Sequence, residues 1–436
     1  MEGNDRDIAE FTMLGHATFH IYELTIPLFV VLWLDAFDVS PAVLGTVVAV
    51  GYALIGVGAL PSGILADRYG STRLVVVSML GMGGGFALIS LAANVWLLAA
   101  ALVIWGAAAS LYHPAGLSLI TRGADMQGTV LAYHGVAGNV GTALGPLVAA
   151  IMLTVLDWRV VAALFVVPAL VGVAAATRLE FDERAAMAET AAGTGTVTQP
   201  AADGSGTGSG MNPDHQPAVD TPSAPPKQSL REHVAAFAAQ SRLLFTGSFV
   251  LVFAIAMLAG TYYRGVFTFL PDVLAGLAVF EPVEIAGETV NPSQYAYAGL
   301  LLIGAVGQYT GGKLSDIRSP ERAIIVALAA LVVVSILFPI GASAGLAATL
   351  AVCAALGFFV YMEAPIHQAL IGKYVAADVH GLSFGYTYLG VFGIGAAGAS
   401  IAGIALTYGG MGVLFAILAI FPAVALVIAI SLLVLA

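Results

Sequence analysis

Gly63-Ile64-Leu65-Ala66-Asp67-Arg68-Tyr69-Gly70-Ser71-Thr72-Arg73 sits between two apolar runs, and the chain returns to its pattern at Gly312-Lys313-Leu314-Ser315-Asp316-Ile317-Arg318-Ser319-Pro320-Glu321-Arg322. The offset is 249 residues for the glycine, leucine, aspartate and final arginine alike. Tyr112 and Tyr361 share it, while Pro114 and Pro365 differ by 251. Farther out, His20 precedes Pro27 by seven residues and Arg264 precedes Pro271 by seven. The chain therefore reads as one plan used twice.

What surrounds the repeat is hydrocarbon-loving. Of 436 residues only 9% are charged, 15 basic and 26 acidic, while 59% are hydrophobic. Soluble domains carry about 25% charged residues, so most of this chain must face lipid. That excludes a soluble enzyme, a nucleic-acid binder and a secreted disulfide module. The single cysteine, Cys353, lies in an apolar run with no thiol to pair with and reads as a small buried hydrophobe.

Runs of about 20 apolar residues can cross a ~30 Å hydrocarbon layer. Twelve are expected, near 13–36, 42–65, 74–92, 95–119, 129–155, 159–178, 244–270, 293–313, 322–341, 346–371, 380–407 and 411–434. The first follows a hydrophilic stretch and is too long for a signal-peptide core, so it reads as a retained span. With the N-terminus inside, 13 of the 15 basic residues fall on the cytoplasmic side, leaving only Arg159 and Arg264 elsewhere. Positive residues stay preferentially inside, so both termini are expected in the cytoplasm of a multi-pass plasma-membrane protein.

The domain expectation is an N-terminal six-helix half over 1–179, a flexible cytoplasmic linker over 180–243 and a C-terminal six-helix half over 244–436. The linker is rich in Gly, Ser, Thr, Pro and Asp and cannot bury enough surface to order itself. Residues 271–292 read as an acidic outer loop. Only three lysines against 26 acids suit a high-salt cytoplasm, a statement about environment rather than mechanism.

Two homologous halves around a midplane site is a plan shared by secondary transporters, in which the halves rock about that site. The repeated turn reads as a gate latch made of Gly63, Asp67, Arg68, Gly70 and Arg73, mirrored by Gly312, Asp316 and Arg322. Gly63 would permit close helix approach. Asp67 would pair with a basic neighbour and face the positive end of the helix opening near Gly381, with Asp316 mirroring it at the helix opening near Gly128. On these residues the chain resembles the major facilitator superfamily over nearly its whole length. That resemblance implies an all-α membrane protein of twelve transmembrane helices in two pseudo-symmetric halves.

A narrower resemblance follows from Gly106-x3-Ser110-Leu111-Tyr112-His113-Pro114 and from Gly135-x2-Gly138-Asn139-x-Gly141-Thr142-Ala143-Leu144-Gly145-Pro146-Leu147. These resemble the fosmidomycin-resistance group of drug exporters, although Ala115 stands where that group has an acid. Gly141-x3-Gly145-Pro146 is also similar to the fifth-span motif of proton-coupled antiporters, with Ala149-Ala150 replacing its closing glycines. Physically, Gly138, Gly141 and Gly145 form a stripe for tight helix packing and Pro146 supplies a bend.

Ionisable groups within spans are costly and mark function by default. His16, His20 and Glu23 share one face of the first span and could line a cavity that handles protons or substrate. A metal is not expected there, because the His-x3-His spacing comes with Ala17 and no third ligand. His113 and His134 are imidazoles suited to taking and releasing protons. Arg264 needs an anion, either a substrate carboxylate or phosphonate or a fixed partner such as Glu23 or Glu363. Glu363 and His367 lie four apart on one face. Glu363 leads as proton carrier, since burial favours its neutral form and a nearby guanidinium its charged one. Tyr361 and Tyr386 add hydroxyls, and Asp157-Trp158-Arg159 reads as a structural start to the sixth span.

The resulting expectation is a transporter, not an enzyme, that moves a small organic solute, anionic or drug-like, by alternating access with proton-coupled efflux. Uptake by symport uses the same halves and stays open. A receptor or sensor is the alternative of another class, weakened by the lack of a folded output domain. No cofactor and no metal is expected. Expected partners are a small-molecule substrate, protons and the lipid bilayer, with no nucleic acid and a monomeric chain. No Gly-x4-Gly-Lys-Ser/Thr loop is present.

Overall fold

The computed structural model describes residues 1, 3–186, 239, 241, 242, 244, 245, 247–375 and 380–435. Most of the expected linker, 187–238, lies outside the described residues. The first set of helices is α1 (Gly3–Phe37), α2 (Pro41–Tyr69), α3 (Ser71–Ser90), α4 (Val95–Ala109), α5 (Tyr112–Gly123), α6 (Gln127–Leu153), α7 (Trp158–Leu164) and α8 (Val166–Ala176). The second is α9 (Ser248–Ala275), α10 (Pro292–Ile317), α11 (Pro320–Ser343), α12 (Leu346–Tyr374), α13 (His380–Tyr388) and α14 (Ala397–Leu435), with a π-helical segment over Leu389–Ile394.

Among the described residues, ten helical runs are long and apolar enough to cross a membrane. The last of them, Gly385–Val434, holds two passes, because Gly410 breaks α14 at φ 68 and ψ −169. The 26-residue α10 is long enough to cross but more polar, which brings the candidate crossings to twelve. At 35 residues α1 is about 52 Å long, so it overshoots the bilayer and begins well before the expected start at residue 13. Large apolar side chains such as Val57, Val77, Val140, Val171, Val306, Val333 and Val427 are exposed on the outer helix faces, where only hydrocarbon can cover them.

Proline placement shapes the interior. Pro114 has no N–H and its ring collides with the carbonyl four residues back, at Ser110, where the fourth span breaks between α4 and α5. The break turns Tyr112 and His113 inward, and both are buried. The expected loop over 271–292 is partly ordered. α9 runs through Asp272 to Ala275, and Val283–Ile285 pairs antiparallel with Glu288–Val290 across a turn whose residues Ala286 and Gly287 have positive φ.

α1 lies along α6, and α9 lies along α14. The two sets meet where α2 packs on α14 and on the π segment, where α10 packs on α6 and where α1 packs on α9. At the start of α2 the approach is backbone to backbone. The Ala42 N–H donates to Thr407 Oγ1 at 2.9 Å, and a side chain at Gly403 would strike the Pro41 carbonyl. The two sets are thus drawn together on the membrane face opposite the α2–α3 turn.

Candidate functional site

Helical spacing puts His16, His20 and Glu23 on one side of α1, and the packing brings four other helices to them. The Glu23 carboxylate is buried, at 1% exposure, and its Oε1 accepts from Arg264 Nη2 on α9, which is 2% exposed. Its Oε2 faces His20 Nδ1 at 2.7 Å. The Tyr52 hydroxyl of α2 donates to the Glu23 backbone oxygen at 2.8 Å, and its ring lies 3.8 Å beneath the Arg264 guanidinium. Tyr263 and Phe392 flank the same cation at 5.2 Å. Such enclosure suits a guanidinium, which is more weakly hydrated than an ammonium and stacks on aromatic faces. Arg264 Nε has no hydrogen-bond partner among the described residues.

The histidines form a second, connected group. His16 Nδ1 lies 2.7 Å from the His134 carbonyl, and His16 Nε2 lies 3.1 Å from His20 Nε2. The His16 ring stacks on the His134 ring at 3.8 Å and meets the His113 ring edge-on at 5.3 Å. The Tyr112 hydroxyl donates to the Thr12 carbonyl at 2.6 Å, so its 3.1 Å contact with His134 Nε2 is donated by the imidazole. One ligand-capable nitrogen from each of His16, His20 and His113 lies within 4.8 Å of the others, so among the described residues these three could hold a metal. His113 also faces Tyr388 at 5.0 Å between ring centres.

Glu363 and His367 stand apart from this cluster, on α12. Their closest approach is 3.5 Å between Oε1 and Nδ1, and neither atom has a hydrogen-bond partner among the described residues. Of the two anions weighed for Arg264, the fold supplies Glu23 and leaves Glu363 with His367. The Tyr361 hydroxyl meets Tyr263 at 3.2 Å, whereas the Tyr386 hydroxyl donates to Ser241 at 2.8 Å.

The glycine stripe of α6 faces α1. Added side chains at Gly138, Gly141 and Gly145 would strike the His16 ring, the Ala17 backbone and the Ile21 backbone, respectively. Pro146 lies inside α6, which continues through it.

The α2–α3 turn differs from the latch drawn from sequence. Asp67 pairs with Arg122 at the end of α5. Gly63, expected to permit close helix approach, and its mirror Gly312 have nothing among the described residues within 4 Å of an added side chain. Gly70, at φ 91, is needed for the backbone turn itself. Asp316 is exposed and forms no ion pair among the described residues, and Arg68, Arg73 and Arg322 are exposed as well. In the second set the buried partner is Glu321, which accepts from Lys373 Nζ and from the Tyr374 hydroxyl, both at 2.6 Å. Arg122 and Lys373 are 251 residues apart, the offset of Pro114 and Pro365, a signal that would have exposed the second latch.

Three further contacts had no sequence signal. Glu183 accepts from the Ser71 and Thr72 N–H groups at 2.9 and 3.1 Å, capping α3. Asp5 accepts from the Asp125 and Met126 N–H groups, both at 2.9 Å, at the start of α6. The Asn4 amide donates to the Gly123 carbonyl at 2.8 Å. At the other end of the first set, Asp157 caps α7 and Arg159 lies over the Trp158 ring at 4.2 Å.

A twelve-crossing bundle with a buried, charge-bearing contact between its two sets is the build of a secondary transporter. The sequence profile of the Major Facilitator Superfamily matches residues 13–397, and the chain belongs to that family of membrane transporters, which are not enzymes. The fold is similar to that of a bacterial homologue of the human lysosomal transporter Spinster in an inward-facing, occupied conformation, with a TM-score of 0.65, 15% identity and coverage of 99% of this chain and 97% of that one. A D-xylose–proton symporter aligns at a TM-score of 0.69, 13% identity and coverage of 98% and 97%. Tetrameric PepTSo2 aligns at 0.68, 13% identity and coverage of 99% and 98%. No curated protein matches the chain.

Proposed function

We propose that this transporter moves a small organic anion by alternating access of two six-span halves, 1–179 and 244–436, coupled to protons in the direction of efflux. The observation that carries the reading is Arg264. Its guanidinium is buried at the contact between the halves, held by Glu23 on one side and with Nε unpaired on the other. A permanently charged group in that position has a donor to offer an incoming carboxylate or phosphonate, and a rival for Glu23 would loosen the tie between halves. Substrate binding and the release of the contact then become one event.

Glu363 is assigned as the proton carrier. It is 13% exposed, has an oxygen without a partner among the described residues and lies apart from the Arg264 pair, so it can change charge without breaking that contact. The Asp67–Arg122 and Glu321–Lys373 pairs act as latches on the face that basic residues mark as cytoplasmic. Likeness to the fosmidomycin-resistance group in the fourth and fifth spans favours drug-like phosphonates as first candidates and a plasma-membrane location, and the acid surplus suits a high-salt cytoplasm.

The test is flux in proteoliposomes under a pH gradient of either sign, with phosphonates, carboxylates and lipophilic drugs as candidates. Efflux-direction flux that Glu363→Gln abolishes supports the reading. Flux only in the uptake direction replaces efflux with symport. Equal coupled flux in Glu363→Gln removes Glu363 as carrier, and equal flux in Arg264→Ala removes the anion site.

A further inference from the structure

The hydrogen-bond directions around His16 and His20 leave an unresolved feature at the centre of the first set of helices. His16 Nδ1 lies 2.7 Å from a backbone carbonyl, which can only accept, so this nitrogen carries the proton. His20 Nδ1 lies 2.7 Å from the Glu23 carboxylate, also an acceptor, and carries its proton for the same reason. In neutral imidazoles both Nε2 atoms are then bare lone pairs, and they face each other at 3.1 Å. Two acceptors at that distance repel unless a cation stands against both. The third imidazole, His113, is 6% exposed, its Nδ1 has no hydrogen-bond partner among the described residues, and it offers a nitrogen within 4.8 Å of one on each of the other two.

We infer that His16, His20 and His113 form a binding site for a borderline transition-metal dication such as Zn²⁺ or Co²⁺. Metal–imidazole bonds of ~2.0–2.1 Å place neighbouring nitrogens of a tetrahedral site roughly 3.3 Å apart. The His16–His20 pair is already near that spacing, and a nitrogen of His113 lies within 4.8 Å of one on each, within the reach of a side-chain adjustment. The outer partners are those that metal-binding histidines use. A ligating imidazole donates its other N–H to a carboxylate or a carbonyl, which fixes the tautomer and raises its basicity; Glu23 does this for His20 and the His134 carbonyl does it for His16. Three nitrogens leave a fourth position for water or an anionic oxygen donor. The sequence concealed the site because His-x3-His supplies two ligands and His113 lies 93 residues beyond His20, brought in only by the break above Pro114. This inference does not depend on which solute is carried or on whether protons drive it.

The test uses the full chain in detergent, stripped with chelator and titrated with Co²⁺, followed by calorimetry and by the visible d–d absorption that reports four-coordinate geometry. One equivalent is expected to bind, with the spectrum of a nitrogen-rich tetrahedral site. Zn²⁺ should displace it. His20→Ala, His113→Ala and the size-retaining His113→Gln are each expected to weaken binding at least tenfold while eluting as monodisperse protein, and Cys353→Ala should bind as wild type does. The inference is overturned if the stripped protein binds no Co²⁺, or if folded His113→Gln binds as tightly as wild type. A bare pair of imidazoles sharing a proton would give the first of those results. Loss of binding in Cys353→Ala would overturn it too, by moving the metal to the thiol.

Discussion

Arg264 on α9 and Glu23 on α1 form a buried ion pair between residues 241 positions apart, and it is the charged tie between the two sets of helices at mid-span. Removing Glu23 leaves the buried Arg264 charge without its carboxylate, and removing Arg264 leaves the buried Glu23 carboxylate with His20 alone. Breaking such a pair costs about 3–5 kcal/mol, whereas replacing both members is often far cheaper. Glu23→Gln and Arg264→Gln are therefore expected to lower thermal stability in detergent strongly, and the double variant to recover a large part of the loss. A double-mutant cycle with additive losses would show that the two charges do not depend on each other.

A second prediction concerns the α1–α6 contact. A side chain at Gly141 would meet the Ala17 backbone, which cannot rotate away, while one at Gly63 would meet nothing within 4 Å among the described residues. Gly141→Val should destabilise by roughly 1–3 kcal/mol or more through overpacking. Gly63→Ala should stay within about 0.5 kcal/mol of wild type, as substitutions away from packed features do. Thermal unfolding of the two variants side by side decides between this assignment and the packing role expected for Gly63.

The two acids that could serve as the second latch should also respond differently to substitution. Glu321→Gln weakens two bonds to a buried oxygen, from Lys373 and Tyr374, and is expected to cost about 1–3 kcal/mol. Asp316→Asn touches an exposed carboxylate with no ion-pair partner among the described residues and should leave the unfolding temperature unchanged. An Asp316→Asn loss equal to that of Glu321→Gln would restore the mirror-image latch.

Closure on the face opposite the α2–α3 turn rests on the contact between α2 and α14. In a Cys353→Ala background, Leu44→Cys introduces a thiol at a buried position near the start of α2. A membrane-impermeant maleimide is expected to label it slowly. Adding Gly403→Val, whose side chain would strike the Pro41 carbonyl, should raise the labelling rate several-fold by favouring the form open on that face. An unchanged rate would show that the backbone contact does not hold the face shut.

Much of this molecule was legible without coordinates, for reasons that are local. Hydrocarbon demands runs of about 20 apolar residues, so the crossings follow from the chain alone, and the 249-residue offset relates residues of the first set of helices to residues of the second. Charges excluded from lipid either collect in loops or mark an interior, which is why Glu23, Arg264 and Glu363 stood out before any partner was known. The α1 face of His16, His20 and Glu23 followed from helical periodicity in the same way. Partner choice did not, because it depends on how helices remote in sequence cross. Only the tertiary structure gives Arg264 to Glu23 rather than Glu363, seats the Gly138, Gly141 and Gly145 stripe on α1 and leaves Gly63 without a close neighbour among the described residues. It also exchanges Asp316 for Glu321 as the buried latch and carries His113 to two imidazoles on another helix, since distances of a few ångströms between distant segments are set by packing.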